Sequence, residues 1–159
     1  MRFKFLVLLV LGFALYSCDD SRIYDSTVKI KEGIWLEKDS LAFDFTVPED
    51  IKGYNLFYNI RYNKDYPYHN LYIKHYLLDS AGKQISSNLM NMDIFDPKTG
   101  KPLGKGLGDS FDYSVLFIGN YDFPYKGKYT LISKHYMRDE PLKGIESFGL
   151  KIEKVKGTQ

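Results

Sequence analysis

The chain has 159 residues, a formal net charge of +2 and a single cysteine. That balance leaves no electrostatic footprint for nucleic acid, and one cysteine excludes an intramolecular disulfide and a cysteine-rich zinc centre. Aromatic residues are heavy, with 14 Tyr and 11 Phe beside one Trp, and such side chains favour the pleated, half-buried surfaces of a β-protein.

At the N-terminus, Arg2 and Lys4 precede an apolar run from Phe5 to Leu15. Eleven residues suit the core of a signal peptide and are too few to cross a bilayer as a helix. Leu15-Tyr16-Ser17-Cys18 follows and resembles the lipobox of bacterial lipoproteins, with an aliphatic residue three positions before the cysteine and a small residue just before it. The resemblance implies removal of residues 1–17 and lipidation of Cys18 through a diacylglyceryl thioether and an acylated, palmitate-type amino group. Several acyl chains anchor a protein stably where one does so only marginally. Residues 1–17 take two basic side chains and no acidic one, so the remaining 142 residues carry 20 of each sign and are neutral. No later stretch is apolar for long enough to form a second span. Residues 18–40 read as a lipidated N-terminus and tether, and 41–159 as one domain with enough chain for a core.

Within the tether a short strand is expected around Thr27 to Ile30. Strict alternation then begins. Leu41, Phe43, Phe45 and Val47 share one face of a strand ended by Pro48. Tyr54, Leu56, Tyr58, Ile60 and Tyr62 form the next, and a turn is expected over Asn63 to Pro67. Leu71, Ile73, His75 and Leu77 make a third strand, closed by the hairpin residues Asp79 to Gly82. A weaker strand lies near Gln84 to Ile94. From Asp96 to Asp109 four glycines and two prolines predict a long loop. Strands resume with Phe111, Tyr113, Val115 and Phe117, and after a turn over Asp122 to Gly127, with Tyr129, Leu131, Ser133, His135 and Met137. Asp139 to Ile145 reads as a loop or single helical turn. Phe148, Leu150 and Ile152 form the last strand, and Lys154 to Gln159 frays. About seven or eight strands without a convincing helix predict an all-β fold, an antiparallel β-sandwich of jelly-roll or immunoglobulin-like type. Outward Lys and Asp side chains and uneven strands argue against a transmembrane barrel.

Several strings, in this order and spacing, resemble one family. They are Cys18-Asp19 with Arg22 and Tyr24, Trp35 before Phe43-Asp44-Phe45, Tyr54-Asn55-Leu56, Ile60-Arg61-Tyr62, and Asp65-Tyr66-Pro67-Tyr68 with Asn70-Leu71. Later come Pro102 to Asp109, Phe123-Pro124, Gly127-Lys128-Tyr129, Met137-Arg138, Leu142 to Ile145 and Gly149 to Lys154. The chain is similar over nearly its whole length to the GldH gliding-motility lipoproteins of Bacteroidetes. The resemblance implies an envelope lipoprotein, with the outer membrane ahead of the inner, that acts with other gliding lipoproteins and with secretion-system components. It supplies no catalytic residues.

The residues themselves offer little chemistry. His69, His75 and His135 lack the HxH or HExxH spacing of a metal site and read as structural or exposed. Gly104-x-Gly106-x-Gly108 leads into a strand, whereas a phosphate loop needs a helix N-terminus after it. There is no nucleophile elbow. Asp65, Asp109 and Asp122 lie in loops, and whether any two meet at a glycosidase's separation is not written in the sequence. The expectation is a non-enzymatic protein with no cofactor beyond the lipid on Cys18 and no metal. Its candidate partner-binding residues are Tyr66, Tyr68, Gly106, Asp109, Tyr121, Phe123 and Tyr125, aromatics and loop positions at turns where burial is difficult. The alternative is a carbohydrate-binding sandwich, with Trp35 either a core residue or a sugar platform.

Overall fold

Period-two runs become strands because alternate side chains then share one face that a second sheet can cover. The computed structural model describes residues 21–48 and 52–155. In chain order it has β1 (Arg22–Lys29), a 3-10 turn (Lys31–Gly33), β2 (Ile34–Trp35), β3 (Leu41–Val47), β4 (Tyr54–Asn63) and β5 (Asn70–Leu78). Then follow β6 (Gln84–Asp93), β7 (Ser110–Tyr121), β8 (Gly127–His135), β9 (Leu142–Lys143) and β10 (Ile145–Lys154). One four-stranded sheet has the order β1-β10-β4-β7 and the other β3-β8-β5-β6, and β2 and β9 form a two-stranded ribbon. Every pairing is antiparallel.

The pairing has a simple logic. Setting the ribbon aside, the first long strand pairs with the last, the second with the next to last, and so inward to the β5–β6 hairpin. The chain is one long hairpin rolled into two sheets. That is the jelly-roll alternative of the two sandwich types expected.

Facing side chains fill the space between the sheets. Tyr54, Leu56, Tyr58, Ile60 and Tyr62 of β4 are all buried, as are Leu71, Ile73 and Leu77 of β5 and Phe148, Leu150 and Ile152 of β10. Each such residue contributes roughly 1.5–3 kcal/mol through its burial. Trp35 lies under this core at 1% exposure, with its ring 5.2 Å from Phe148 and 5.4 Å from His135. Its indole N–H donates to the Asp39 carbonyl at 2.8 Å, so the tryptophan is a core residue and not a surface platform.

Two local expectations change. The strand expected at Thr27–Ile30 runs instead from Arg22 to Lys29 and is registered against β10 along its length, so this part of the presumed tether is sheet. Its inward Tyr24, Ser26 and Val28 are only half buried, which is why an edge strand of this composition carries a weak apolar signal. Asp139–Ile145 holds a strand, not a helical turn: Leu142 and Lys143 pair with Trp35 and Ile34. The expected signal peptide, Cys18 and residues 156–159 lie outside the described residues.

Candidate functional site

The seven partner-binding candidates separate to opposite ends of the sandwich. Tyr54, at the start of β4, is level with Tyr121 and Lys154, while Asn63, at its end, is level with Ser110. Those ends are about 30 Å apart, given the rise of a strand. Tyr121, Phe123 and Tyr125 sit at the first end, Tyr66, Tyr68, Gly106 and Asp109 at the second. Arg22 is opposite Glu153, so β1 begins at the first end, and an anchor at Cys18 would attach there.

At this anchor-proximal end the aromatics close the core. The Phe123 ring lies 4.8 Å from Tyr121, 4.9 Å from Tyr129, 5.4 Å from Tyr54 and 5.7 Å from Phe45. Tyr125 stacks on Tyr129 at 5.1 Å and accepts its hydroxyl hydrogen bond through the main-chain carbonyl at 2.6 Å. Burial holds the Tyr121 hydroxyl above its usual range, with a hydrogen bond to Ser86 partly offsetting it. These three rings are largely engaged with one another and with the sheet beneath.

The distal end is more varied. Tyr66 is buried, and its hydroxyl donates to the Asn70 carbonyl at 2.7 Å. It can be buried in a turn because Gly144 passes beneath it: a Cβ there would lie 2.6 Å from the Tyr66 Cα, and the glycine's φ is +84°. Tyr68 meets Tyr66 edge-on at 6.0 Å and remains half exposed. Its hydroxyl pairs with the Asp139 carboxylate, which holds the phenol above its usual range. To one side of Tyr68 is a depression of about 390 Å³ walled by Lys64, Tyr66, His69, Phe95 and Phe111. To the other is one of about 290 Å³ walled by Asn70, Tyr72, Tyr136, Met137 and Arg138.

The glycine-rich segment is built onto this end. Tyr62 donates its hydroxyl to the Ile94 carbonyl at 2.5 Å and accepts the Gly104 N–H at 3.0 Å. Lys105 and Asp112 exchange both main-chain hydrogen bonds, at 2.8 and 2.9 Å, so the segment lies along the outer edge of β7. Gly106 has to be glycine here, because a Cβ would fall on the Ser110 carbonyl. Asp109 pairs with the Lys64 ammonium. Between Gly106 and Gly108 the chain lifts Leu107 to 97% exposure. The 100–109 loop is a candidate contact from sequence, through Gly106 and Asp109, but Leu107 is not singled out there, although an apolar side chain isolated among Gly, Lys and Asp is the available signal.

Polar groups inside the sandwich are mostly structural. The Tyr58 hydroxyl lies 3.1 Å from His75 Nδ1 and 3.5 Å from Ser133 Oγ, and all three residues are buried. Burial, and then the Lys74 charge, push His75 down to about 4. Burial also lowers His135, against the opposing pull of Glu140 and Glu37. On the outer surface Glu146 accepts hydrogen bonds from Arg61, Asn63 and Ser110 at 2.9 to 3.1 Å. Partial burial would raise its carboxyl, but those donors hold it below the usual range. Among the described residues no three His, Cys, Asp or Glu side chains converge as a metal site would require.

Residues 22–152 match the family model described as GldH lipoprotein. The chain belongs to the GldH lipoprotein family. A protein of Christiangramia forsetii described as a gliding motility lipoprotein GldH homolog is 37% identical over 146 residues, 87% of this chain and 87% of that protein. Gliding motility lipoprotein GldH of Flavobacterium johnsoniae is 29% identical over 157 residues, covering 92% of this chain and 94% of its own. Among solved structures, the VP2 subviral particle of infectious bursal disease virus aligns with a TM-score of 0.38 at 11% identity, over 85% of this chain and 33% of that one. Membership of the GldH family makes this a lipid-anchored protein of the cell envelope, in a family that is not one of enzymes.

Proposed function

We propose that this GldH-family lipoprotein is a non-enzymatic adaptor in a gliding- and secretion-associated envelope assembly. Lipid on Cys18 holds it, in the outer membrane, and its anchor-distal end meets a partner protein: another gliding lipoprotein or a secretion-system component. The observation that carries this reading is the near end-to-end match to relatives named for gliding motility. Lipid confinement to a plane raises the effective concentration of one anchored protein for another, so modest contacts suffice. Leu107 at 97% exposure, at the same end of the sandwich as the depression that Tyr66 walls, supports the choice of end. An exposed apolar side chain on a loop braced by Tyr62 and β7 is a preorganised anchor for a partner's pocket. Tyr68, Gly106 and Asp109 belong to this contact; Tyr121, Phe123 and Tyr125 at the anchored end are candidates for a second one.

The test is an affinity pull-down of the tagged lipoprotein from cross-linked envelopes, with Cys18→Ala and Leu107→Ser variants in parallel. Gliding or secretion proteins recovered with the parent and lost from both variants would support the adaptor reading. Their equal recovery with Leu107→Ser would remove the distal end from it.

A second reading, carbohydrate binding, draws on the outer face of the sheet containing β5 and β8. Tyr72 and Tyr76 lie four residues apart on β5, about 13 Å along the strand, with Tyr136 beside Tyr72 and 56% exposed. Outward-facing rings, exposed at Tyr72 and Tyr136 and half-buried at Tyr76, suit the flat faces of sugars. Binding to a glycan array that Tyr72→Ala and Tyr136→Ala abolish would favour it.

A further inference from the structure

A sandwich has four edge strands, and three of these are guarded. β1 carries Arg22, Asp25 and Lys29. β3 carries Asp44 and runs into Pro48. β7 has the Lys105–Asp112 bridge along its outer side, two register irregularities against β4, and a left-handed Asn120 at φ 52°. Charge, proline, bulges and covering loops are the devices by which proteins prevent a sheet edge from recruiting another strand.

β6 has none of them between its first residues and the charge of Asp93 at its end. From Gln84 to Met92 it contains no charged residue, no proline and no glycine, and among the described residues nothing pairs with its outer side. Its only irregularity lies at the start, opposite Leu77 and Leu78, so Ser86 to Asp93 is a regular strand. The direction of its amides can be read from two hydrogen bonds. Tyr136 N–H donates to the Tyr72 carbonyl at 2.8 Å, so even-numbered main-chain groups of β5 face β8 and odd-numbered ones face β6, where they meet the even-numbered amides of β6. The Leu89 N–H, of opposite parity, is bonded instead by the Asn88 side-chain oxygen at 2.9 Å. The main-chain groups of Ser87, Leu89 and Asn91 therefore face the open edge, and Leu89 itself is 42% exposed.

We propose that this edge pairs with β6 of a second copy, antiparallel and centred on Leu89, joining two four-stranded sheets into one of eight. The pattern is self-complementary in that register. Leu89 meets Leu89 of the partner, Ser87 meets Asn91 and Asn88 meets Met90, so no like charges oppose one another across the regular stretch. Each open amide finds a carbonyl, and the Asn88 side chain that covers the Leu89 N–H is released. The two-fold relating antiparallel strands of one sheet is normal to that sheet. With that axis along the membrane normal both sandwiches lie with their strands parallel to the membrane, and both N-termini are at one height, as two copies anchored in the same leaflet require. β6 also lies at the far side of the sandwich from β1, whose neighbour across the core is β3, so the anchored strand does not obstruct the pairing. A strand-to-strand contact is small, and confinement of both copies to the membrane plane is what makes it effective.

The test is disulfide trapping in intact envelopes. Hydrogen-bonded residues directly opposite in an antiparallel pair have Cα atoms about 5.5 Å apart, within disulfide range. Leu89→Cys is expected to give a disulfide-linked dimer on mild oxidation, and Thr46→Cys, on the guarded edge, is not. In the Leu89→Cys background, Ser87→Lys with Asn91→Lys opposes lysines twice across the two-fold and should cut the trapped dimer roughly tenfold. Ser87→Lys with Asn91→Glu opposes unlike charges and should restore it. Equal trapping at Leu89 and Thr46, or equal loss in both charge pairs, would overturn the proposal. So would trapping of Leu89→Cys to a different protein, which would assign the edge to a foreign strand.

Discussion

Acidifying the protein from pH 7 to pH 5 loads its core chiefly at His75, with a smaller share at His135. The His75 imidazole is 2% exposed, shares a hydrogen bond with the Tyr58 hydroxyl, and stays neutral in the fold down to about pH 4. In the unfolded chain it takes its proton near 6.5. Between those values the unfolded state binds the proton and the native state does not, so stability is full above about pH 6.5 and falls as the pH drops. Each pH unit in that window costs about 1.4 kcal/mol, which gives about 2 kcal/mol by pH 5. With an m-value of about 2 kcal/mol/M, the urea midpoint should fall by about 1 M. Glu146 and Asp96, both held below the usual carboxylate range, act in the same direction, but their stabilisation is lost only at lower pH, outside this window. Urea unfolding at several pH values, for the parent and for His75→Gln, isolates the effect. Most of the slope should vanish in the variant, with His135 leaving a remainder. Parallel slopes in the two proteins, or an NMR titration of the His75 ring with its midpoint near 6.5, would refute the reasoning.

Other perturbations test other parts of the structure. Tyr58→Phe keeps the ring on Phe117 but leaves His75 and Ser133 without their shared hydroxyl, and should cost about 2 kcal/mol in a urea or thermal unfolding measurement. Gly144→Ala drives a methyl into the Tyr66 main chain at a positive φ and should cost about 3 kcal/mol, with Tyr66 fluorescence or proteolysis of the 64–69 turn reporting the displacement. Leu107→Ser should change unfolding free energy by less than about 0.5 kcal/mol, while removing cross-linked partners from the envelope pull-down.

The long alternating strands were legible because a buried face every second residue is a two-letter pattern. Tyr54 to Tyr62 and Phe148 to Ile152 needed nothing else. β1 was only partly legible, since a guarded edge strand replaces apolar residues with Arg22, Asp25 and Lys29. The β2–β9 ribbon was not, because two residues have no period; what holds it is Trp35 and Leu142 meeting from 107 positions apart. At the candidate site the turns and the glycine-rich segment were found, and their contacts were not. Tyr66 is buried by a glycine 78 positions away, and Gly106 is fixed by the backbone of Ser110. Such close approaches belong to the tertiary fold, and the local composition of a loop does not encode them.

The placement of β1 also has a mechanical consequence. With lipid attached at Cys18, as proposed, a pull from a partner at the distal end travels to the membrane through Arg22 and along β1. The seven registered pairs from Arg22–Glu153 to Lys29–Ser147 lie side by side along that line of force. They are strained together, in shear, instead of being peeled open one after another. A strand that enters the sheet a few residues after its anchor, and runs its full length against a buried neighbour, is a grip suited to a protein that must stay attached while the cell surface around it moves.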